Sequence, residues 1–348
     1  MSRIKRKLNA EIITLAHGSG GKAMRDLIDD VFVSGFDNSH LDELEDQAKF
    51  NLSDLAKHGN RLAMTTDSYV VDPLFFPGGD IGKLAITGTV NDLAVGGAKP
   101  LYLTCSMIIE EGFKVETLRK IVKSMKKTAD DAGVKIVTGD TKVVNKGECD
   151  KLFINTTGIG VIAENINIAA SRAQVGDVVI INGFVGDHGA AIVDARGEMS
   201  LENTIKSDCQ VLNSLIQKML EVCPAIHCMR DATRGGLATV LNEFAQSSQV
   251  NITINETQIP IRPEVRGMCE ILGLDPLYLA NEGKLIAVVP ADSANKVLQV
   301  MQKHPAGIDS AIIGKVEKQP ASRVILATSF GGNRIVDMLV GEQLPRIC

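Results

Sequence analysis

Four carboxylates stand among small or hydroxyl-bearing neighbours: Asp67 in TTDS, Asp92 behind Asn91 in GTVNDLA, Asp140 in VTGDT and Asp231 in RDATRGGLA. In such settings backbone amides and hydroxyls leave room for a ligand, and several hard oxygen donors gathered with phosphates suit Mg2+. Taken one at a time, Asp67, Asp140 and Asp231 read more simply as helix or turn caps. Taken together, they point to a shared metal–phosphate site. The other reactive candidate is Cys348, the last residue. Residues 339–348 reach at most about 33–36 Å when extended, enough to carry a thiol into another protein's pocket and back. The neighbouring terminal carboxylate should raise that thiol above its ordinary value of about 8.5, with Arg346 opposing. From the residues alone, an incidental terminal cysteine is an equally good reading.

The usual nucleotide motifs are missing. Gly82-Lys83 and Gly314-Lys315 lack both the upstream glycine and the following Ser or Thr of a P-loop. The run GSGGKA from Gly18 matches a dinucleotide fingerprint, which needs an acidic residue at the end of a second strand about 20 positions on. Here Asp42 to Asp46 sit in HLDELEDQ, which has no strand character. The seven cysteines form no CxxC pair and no zinc spacing. MSRIKRKLNAEII lacks the apolar stretch of a signal peptide, and no apolar run reaches the roughly 18 residues of a membrane helix. The expectation is reduced thiols in a cytoplasm.

Elements must hold these residues in place, and 348 residues exceed what one core ordinarily holds, so two domains are expected. A 45% hydrophobic share, 23% charged residues and 32 glycines exclude disorder, collagen and coiled coil. The absence of Trp argues against a stacking platform for single-stranded nucleic acid, and a net charge of −5 suggests no polyanionic partner. RLAMTTDSYVV reads as a strand, and Asp80 caps a helix that stops at Gly96 and Gly97. Residues 101–109 are apolar enough for a buried strand. Leu118, Ile121, Val122, Met125, Ala129 and Ala132 recur at helical spacing, with Gly133 closing the helix. Strands VKIVTGD and LFINTTGIGVIA follow. The small, polar stretch from 169 to 177 marks a boundary. Beyond it come strands DVVIING, NITIN, KLIAVVP and two β-branched runs at 310–316 and 322–326, with helices over 211–220, 236–247, PEVRGMCEIL and 292–303. The irregular alternation favours two α+β domains, 1–168 and 169–338, followed by a tail, 339–348.

HGSGGK, TDSYVVDPLFFPGGDIGKLAITGTVNDLAVGGAKP, IIEEGF, VTGDTKVV, RDATRGGLA, NEG and the terminal PRIC together resemble the HypE family of hydrogenase-maturation carbamoyl dehydratases, from about residue 11 to 348. The middle motifs are shared more loosely with aminoimidazole ribonucleotide synthetase, selenophosphate synthetase and thiamine-phosphate kinase; PRIC sets HypE apart. The resemblance implies an α/β (α+β) fold of the two-domain, aminoimidazole ribonucleotide synthetase-like kind. It also implies a homodimer whose N-terminal domains pair into a barrel-like sheet, with ATP near the intersubunit cleft. Mg2+ and phosphate would lie on Asp67, Asp92 and Asp231, with Asn91, Asp140 and Thr233 nearby. A loop of His17, Gly18, Gly20, Gly21 and Lys22 would close over the phosphates. Without the resemblance, that loop reads as a surface turn and His17 as a capping or solvent-facing histidine. By the same resemblance a carbamoyltransferase, HypF, loads Cys348, and ATP-driven dehydration gives a thiocyanate, with Lys142 and Glu282 as candidate bases. The cyanide then passes to iron on a HypC–HypD scaffold. Two other classes stay open: a superfamily enzyme phosphorylating a small molecule, and a non-catalytic nucleotide-binding scaffold whose tail docks a partner.

Overall fold

The structure, a computed structural model, describes residues 7–42, 45–197, 205–318, 322–341, 344, 347 and 348. The N-terminal unit is one four-stranded sheet: β1 (Arg61–Tyr69), β2 (Ala98–Glu110), β3 (Lys135–Val144) and β4 (Leu152–Ile162), in the order β1-β4-β2-β3. All pairings are antiparallel except β2 with β3. That parallel pair is joined by α2 (Val115–Ala132), which buries Leu118, Ile121, Val122 and Met125 and ends on left-handed Gly133 (φ 70°). The helical spacing anticipated this element down to its cap.

The second helix of this unit, α1 (Ile81–Val95), starts where Asp80 accepts from the amides of Gly82 and Lys83. All of its residues but Lys83 and Asp92 are buried, because the helix is covered on nearly every side. Small residues let it approach the sheet: a Cβ on Gly88 would lie 2.4 Å from the Tyr69 hydroxyl, and one on Gly158 would lie 2.8 Å from Leu93 and Thr89. Its far end, Ala94 and Val95, packs into a core of the C-terminal unit. On the opposite face of the sheet, among the described residues, Leu62 and Met64 are 61% and 65% exposed and Ile108 is 41% exposed.

The C-terminal unit is a seven-stranded sheet. Its elements are β5 (Val178–Ile181), α3 (Asp187–Ala195), α4 (Asn213–Val222), β6 (Cys228–Asp231), α5 (Gly236–Ser248), β7 (Asn251–Asn255), α6 (Pro263–Leu272), β8 (Leu285–Val289), α7 (Ala291–Gln302), β9 (Ala311–Glu317), β10 (Val324–Ala327) and β11 (Asn333–Val336). The order is β11-β10-β7-β9-β5-β8-β6, with only β10 and β7 parallel. Every residue of β8 is buried. Ile286 and Val288 join the core under α5, while Leu285, Ala287 and Val289 join the one under α4 and α7. A strand covered on both faces reads as an unbroken apolar run, as KLIAVVP does. The sequence reading lacked α3, β6 and β11; β6 (CMRD) and β11 (NRIV) carry charged residues that break the apolar run by which the equally short β5 and β10 stood out.

Candidate active site

Three of the four carboxylates share one electrostatic environment at the junction of the two units. Tyr69 Oη and Thr89 Oγ1 are 3.2 Å apart, and Thr156 Oγ1 bonds to both Thr89 and the Ala85 carbonyl, which seats α1 on the sheet. Asp92 lies one turn beyond Thr89 and accepts from Thr65 Oγ1 at 2.9 Å. Asp67, two residues past Thr65, is on the same face of β1. Asp231 ends β6 opposite Leu285, where α1 crosses the edge of the second sheet. Burial pushes the Asp231 carboxyl up to about 7, with the charges of Asp92 and Asp67 adding to it. Burial also raises Asp92, against the bond from Thr65, and the Asp67 charge raises it further. Beside them runs a cleft of about 540 Å³ lined by Thr65, Asp92, Arg230, Asp231, Thr233 and Arg234. The turn there requires glycine: Gly235 and Gly236 both have left-handed backbones (φ 75° and 57°), and a Cβ on Gly236 would strike the Leu279 carbonyl at 2.5 Å.

Crowded carboxylates that raise one another's proton affinity fit a divalent cation. Among the described residues, however, no three His, Cys, Asp or Glu side chains form a ready-made metal cage. That combination suits Mg2+, which keeps its waters and takes one or two carboxylates together with substrate phosphates.

The tail ends beside this cluster, inside the protein. Ile347 is 8% exposed within the N-terminal core, against which Leu344 and Cys348 also pack. Its burial contributes roughly 1.5–3 kcal/mol toward holding the end in place. The Cys348 thiol is pushed up to about 12, first by burial and then by Glu282, with Asp67 and Asp231 adding and Arg234 opposing. Burial, not the terminal carboxylate, is therefore the leading cause, and among the described residues Arg234 opposes it. Arg346 and Pro345, on which the tail reading also drew, lie outside the described residues.

Glu282 is 3% exposed, and among the described residues its Oε1 has no hydrogen-bond partner. Burial, then the charges of Asp208, Asp231 and Asp67, hold its carboxyl well above the usual carboxylate range. Its loop is tied down by a residue that the sequence reading did not single out. Asp208 accepts from the amides of Glu282 (2.9 Å) and Gly283 (3.1 Å) and from Lys284 Nζ (2.9 Å). Asn281 adds bonds to the Ala232 carbonyl and from the Gly186 amide. Nothing in KSDCQ marks Asp208 as special; NEGK at least showed an acid and a base together.

The remaining candidates gather elsewhere. Asp140 and Lys142 form an exposed pair at 2.7 Å on β3, the sheet edge opposite β1. The Lys142 bond holds the Asp140 carboxyl below its ordinary value, against a smaller effect of burial. The HGSGGK loop lies against the same strand: a Cβ on Gly18 would meet Val143 N at 2.8 Å. His17 is buried and caps its own turn, accepting from the Thr14 amide at 3.0 Å. Gly20 is left-handed (φ 80°), Gly21 precedes a short helix, Lys22–Leu27, and among the described residues only an isolated bridge at Ile12 precedes the loop where a dinucleotide fold needs a strand. Asn91 is occupied by the C-terminal unit, donating to the Gln210 carbonyl (3.1 Å) and accepting from the Leu212 amide (2.8 Å). One chain thus brings Asp67, Asp92, Asp231, Thr233, Glu282 and Cys348 to one junction, while Asp140, Lys142 and the loop cluster on the far strand.

Comparison with known proteins agrees with this architecture. Residues 45–162 match the model of the AIR synthase related protein, N-terminal domain, and residues 174–327 match that of its C-terminal domain. The chain is 55% identical to carbamoyl dehydratase HypE of Rhodobacter capsulatus over 98% of its own length and 99% of the relative's. It superposes on the hydrogenase maturation protein HypE in complex with ATP with a TM-score of 0.91 at 48% identity, covering 96% of this chain and 99% of that one. It also matches a chain of a HypE–HypF complex (TM-score 0.78, 50% identity, 90% and 99% coverage). Among the described residues no helix is long and apolar enough to cross a membrane. Two matched domains, near-complete coverage and identity around one half make the chain a member of the HypE family of carbamoyl dehydratases.

Proposed function

We propose that the protein dehydrates a carbamoyl group carried on Cys348, using ATP, to a thiocyanate that supplies cyanide for the iron of a nickel–iron hydrogenase. The observation carrying this reading is the placement of half-buried Cys348 beside Glu282 and within reach of the Asp67 and Asp231 charges. Inside, a thiol raised to about 12 is a poor nucleophile, so the pocket suits a sulfur that arrives already acylated. Loading then belongs to the outward tail and a carbamoyltransferase of the HypF kind, as a relative's complex with HypF supports.

The chemistry balances as follows. The carbamoyl oxygen attacks the γ-phosphate of ATP and ADP leaves, while nitrogen gives up one proton. Loss of the second N–H proton expels phosphate and closes S–C≡N. Phosphorylation matters because oxide is a hopeless leaving group and phosphate is a good one. Asp67, Asp92 and Asp231 would attract Mg2+, one or two of them as direct ligands, and the ion would neutralise phosphate charge. Thr233 and Arg234 line the cleft that would take the nucleotide. Glu282, an orphaned carboxyl of high proton affinity, takes an N–H proton once ionised.

Lys142, Asp140 and the loop from His17 to Lys22 act in this reading from a second copy. They sit at the β3 edge, whereas the carboxylate cluster starts from β1, and among the described residues neither edge pairs with a further strand. The bare apolar sheet face supports the same homodimer. The product would pass to a HypC–HypD scaffold.

The test is intact-mass measurement of the C-terminal peptide after incubation with carbamoyltransferase, carbamoyl phosphate and ATP. Wild type should gain one carbamoyl group and then lose one water. Cys348→Ala should do neither, and Glu282→Gln should load but not dehydrate. A Cys348→Ala protein that still yields cyanide overturns the proposal.

A further inference from the structure

Resting on that reading, a second requirement appears. A sulfur that must be loaded outside and dehydrated inside needs something to hold the tail in, and among the described residues nothing makes a polar bond to Cys348 that could do so. The nearest polar anchor is one residue earlier. His188, at the start of α3, is fully buried, and its Nε2 bonds to the Ile347 carbonyl. Its Nδ1 lies 2.8 Å from Ser207 Oγ, and the Phe76 ring stands edge-on at 5.5 Å.

The tautomer follows from the partners. A carbonyl oxygen only accepts, so Nε2 carries the proton. Nδ1 is then the acceptor, and Ser207 must donate to it. Ser207 Oγ in turn accepts from the Cys209 amide at 3.1 Å, while the Ser207 amide donates to the Pro77 carbonyl at 2.8 Å. Each member of the chain fixes the direction of the next. Burial lowers the proton affinity of the ring, against Asp208 and the Ile347 bond, which favours the neutral form this chain needs.

We infer that His188 is a positioning residue: its Nε2–H, oriented by Ser207, latches the Ile347 carbonyl and so sets the sulfur of Cys348 at Glu282 for dehydration. The latch touches neither nucleotide nor sulfur. It should therefore act on the inward half-reaction and leave loading alone.

The experiment measures two things on the full-length protein. The first is the alkylation rate of Cys348 by a maleimide, relative to buried Cys105 and Cys223, followed by peptide mass. The second is the split between carbamoyl loading and ATP-dependent loss of water. A lost buried hydrogen bond should shift the tail equilibrium roughly 5-fold to 100-fold. His188→Ala should raise Cys348 alkylation by that factor, with Cys105 and Cys223 unchanged, and lower the dehydration rate while loading stays at least as fast. His188→Gln, which keeps an N–H donor near the Nε2 position, should recover most of both. Ser207→Ala frees the ring to take the other tautomer and should resemble His188→Ala, which keeps the test available if the alanine at 188 fails to fold. Unchanged alkylation in His188→Ala and Ser207→Ala, or equal exposure of all three cysteines, overturns the latch. Because alkylation needs no carbamoyl donor, the latch can stand even where the dehydratase reading fails.

Discussion

The carboxyl of Asp231 carries a pH dependence whose sign can be worked out. Its value rises from 3.8 to about 7 on folding, so between those limits the folded chain binds a proton that the unfolded chain releases. The contribution is harmless below about pH 4 and turns progressively destabilising as pH climbs toward 7. Without a divalent cation, Asp231→Asn should therefore be more stable relative to wild type at pH 8 than at pH 5, as read by urea unfolding. Wild type should in turn gain more thermal stability from Mg-ATP at pH 8, where no proton competes for the carboxylate. ATP-dependent turnover in the variant should fall by about 10²–10³. A stability difference that is flat between pH 5 and 8 would remove Asp231 from the cluster.

Among the elements, the loop from 281 to 284 depends most on a single distant residue. Asp208 and Lys284 are 3% and 6% exposed at the side chain, and Asp208 also holds two loop amides. Removing one partner of a buried ion pair leaves the other charge uncompensated, which typically costs about 3–5 kcal/mol. Asp208→Ala should show a loss of that order in denaturant unfolding. Gly283→Ala is the local counterpart: its Cβ would lie 2.0 Å from the Asp208 carbonyl, so the loop must move. We expect it to fold with reduced stability and to lose dehydration more than loading, since Glu282 moves with the loop. Equal loss of both half-reactions would point to general damage instead.

For the molecule as a whole, the bare sheet face and the two open sheet edges lead to the proposed homodimer. Met64 is 65% exposed on β1 and contributes little to its own fold, so Met64→Lys should leave single-chain stability within about 0.5 kcal/mol. Placed in an apolar interface, the same charge should dissociate the dimer and depress ATP turnover with it. Light scattering across a dilution series checks this: wild type should scatter as two chains and the variant as one. A fully active monomer of wild type would leave Lys142 and the HGSGGK loop without a role in the site.

Local order was legible in the residues because it is encoded locally. Asp80 caps α1 through amides two and three positions on, Gly133 ends α2, and KLIAVVP announces a strand buried on both faces. Asp67, Asp92 and Asp231 stood out by their small neighbours, and Cys348 by its place in PRIC. Their convergence was not legible, since it depends on α1 seating against one sheet while crossing the edge of another, a relation between residues far apart in the chain. Asp208 and His188 escaped notice for the same reason: each works through backbone atoms, the amides at 282 and 283 and the carbonyl at 347, and a backbone atom leaves no letter in the sequence. Folding also separated what composition made look alike. Asp140, as promising as Asp67 when read in line, sits on β3 because strand order, not spacing, decides which edge a carboxylate reaches.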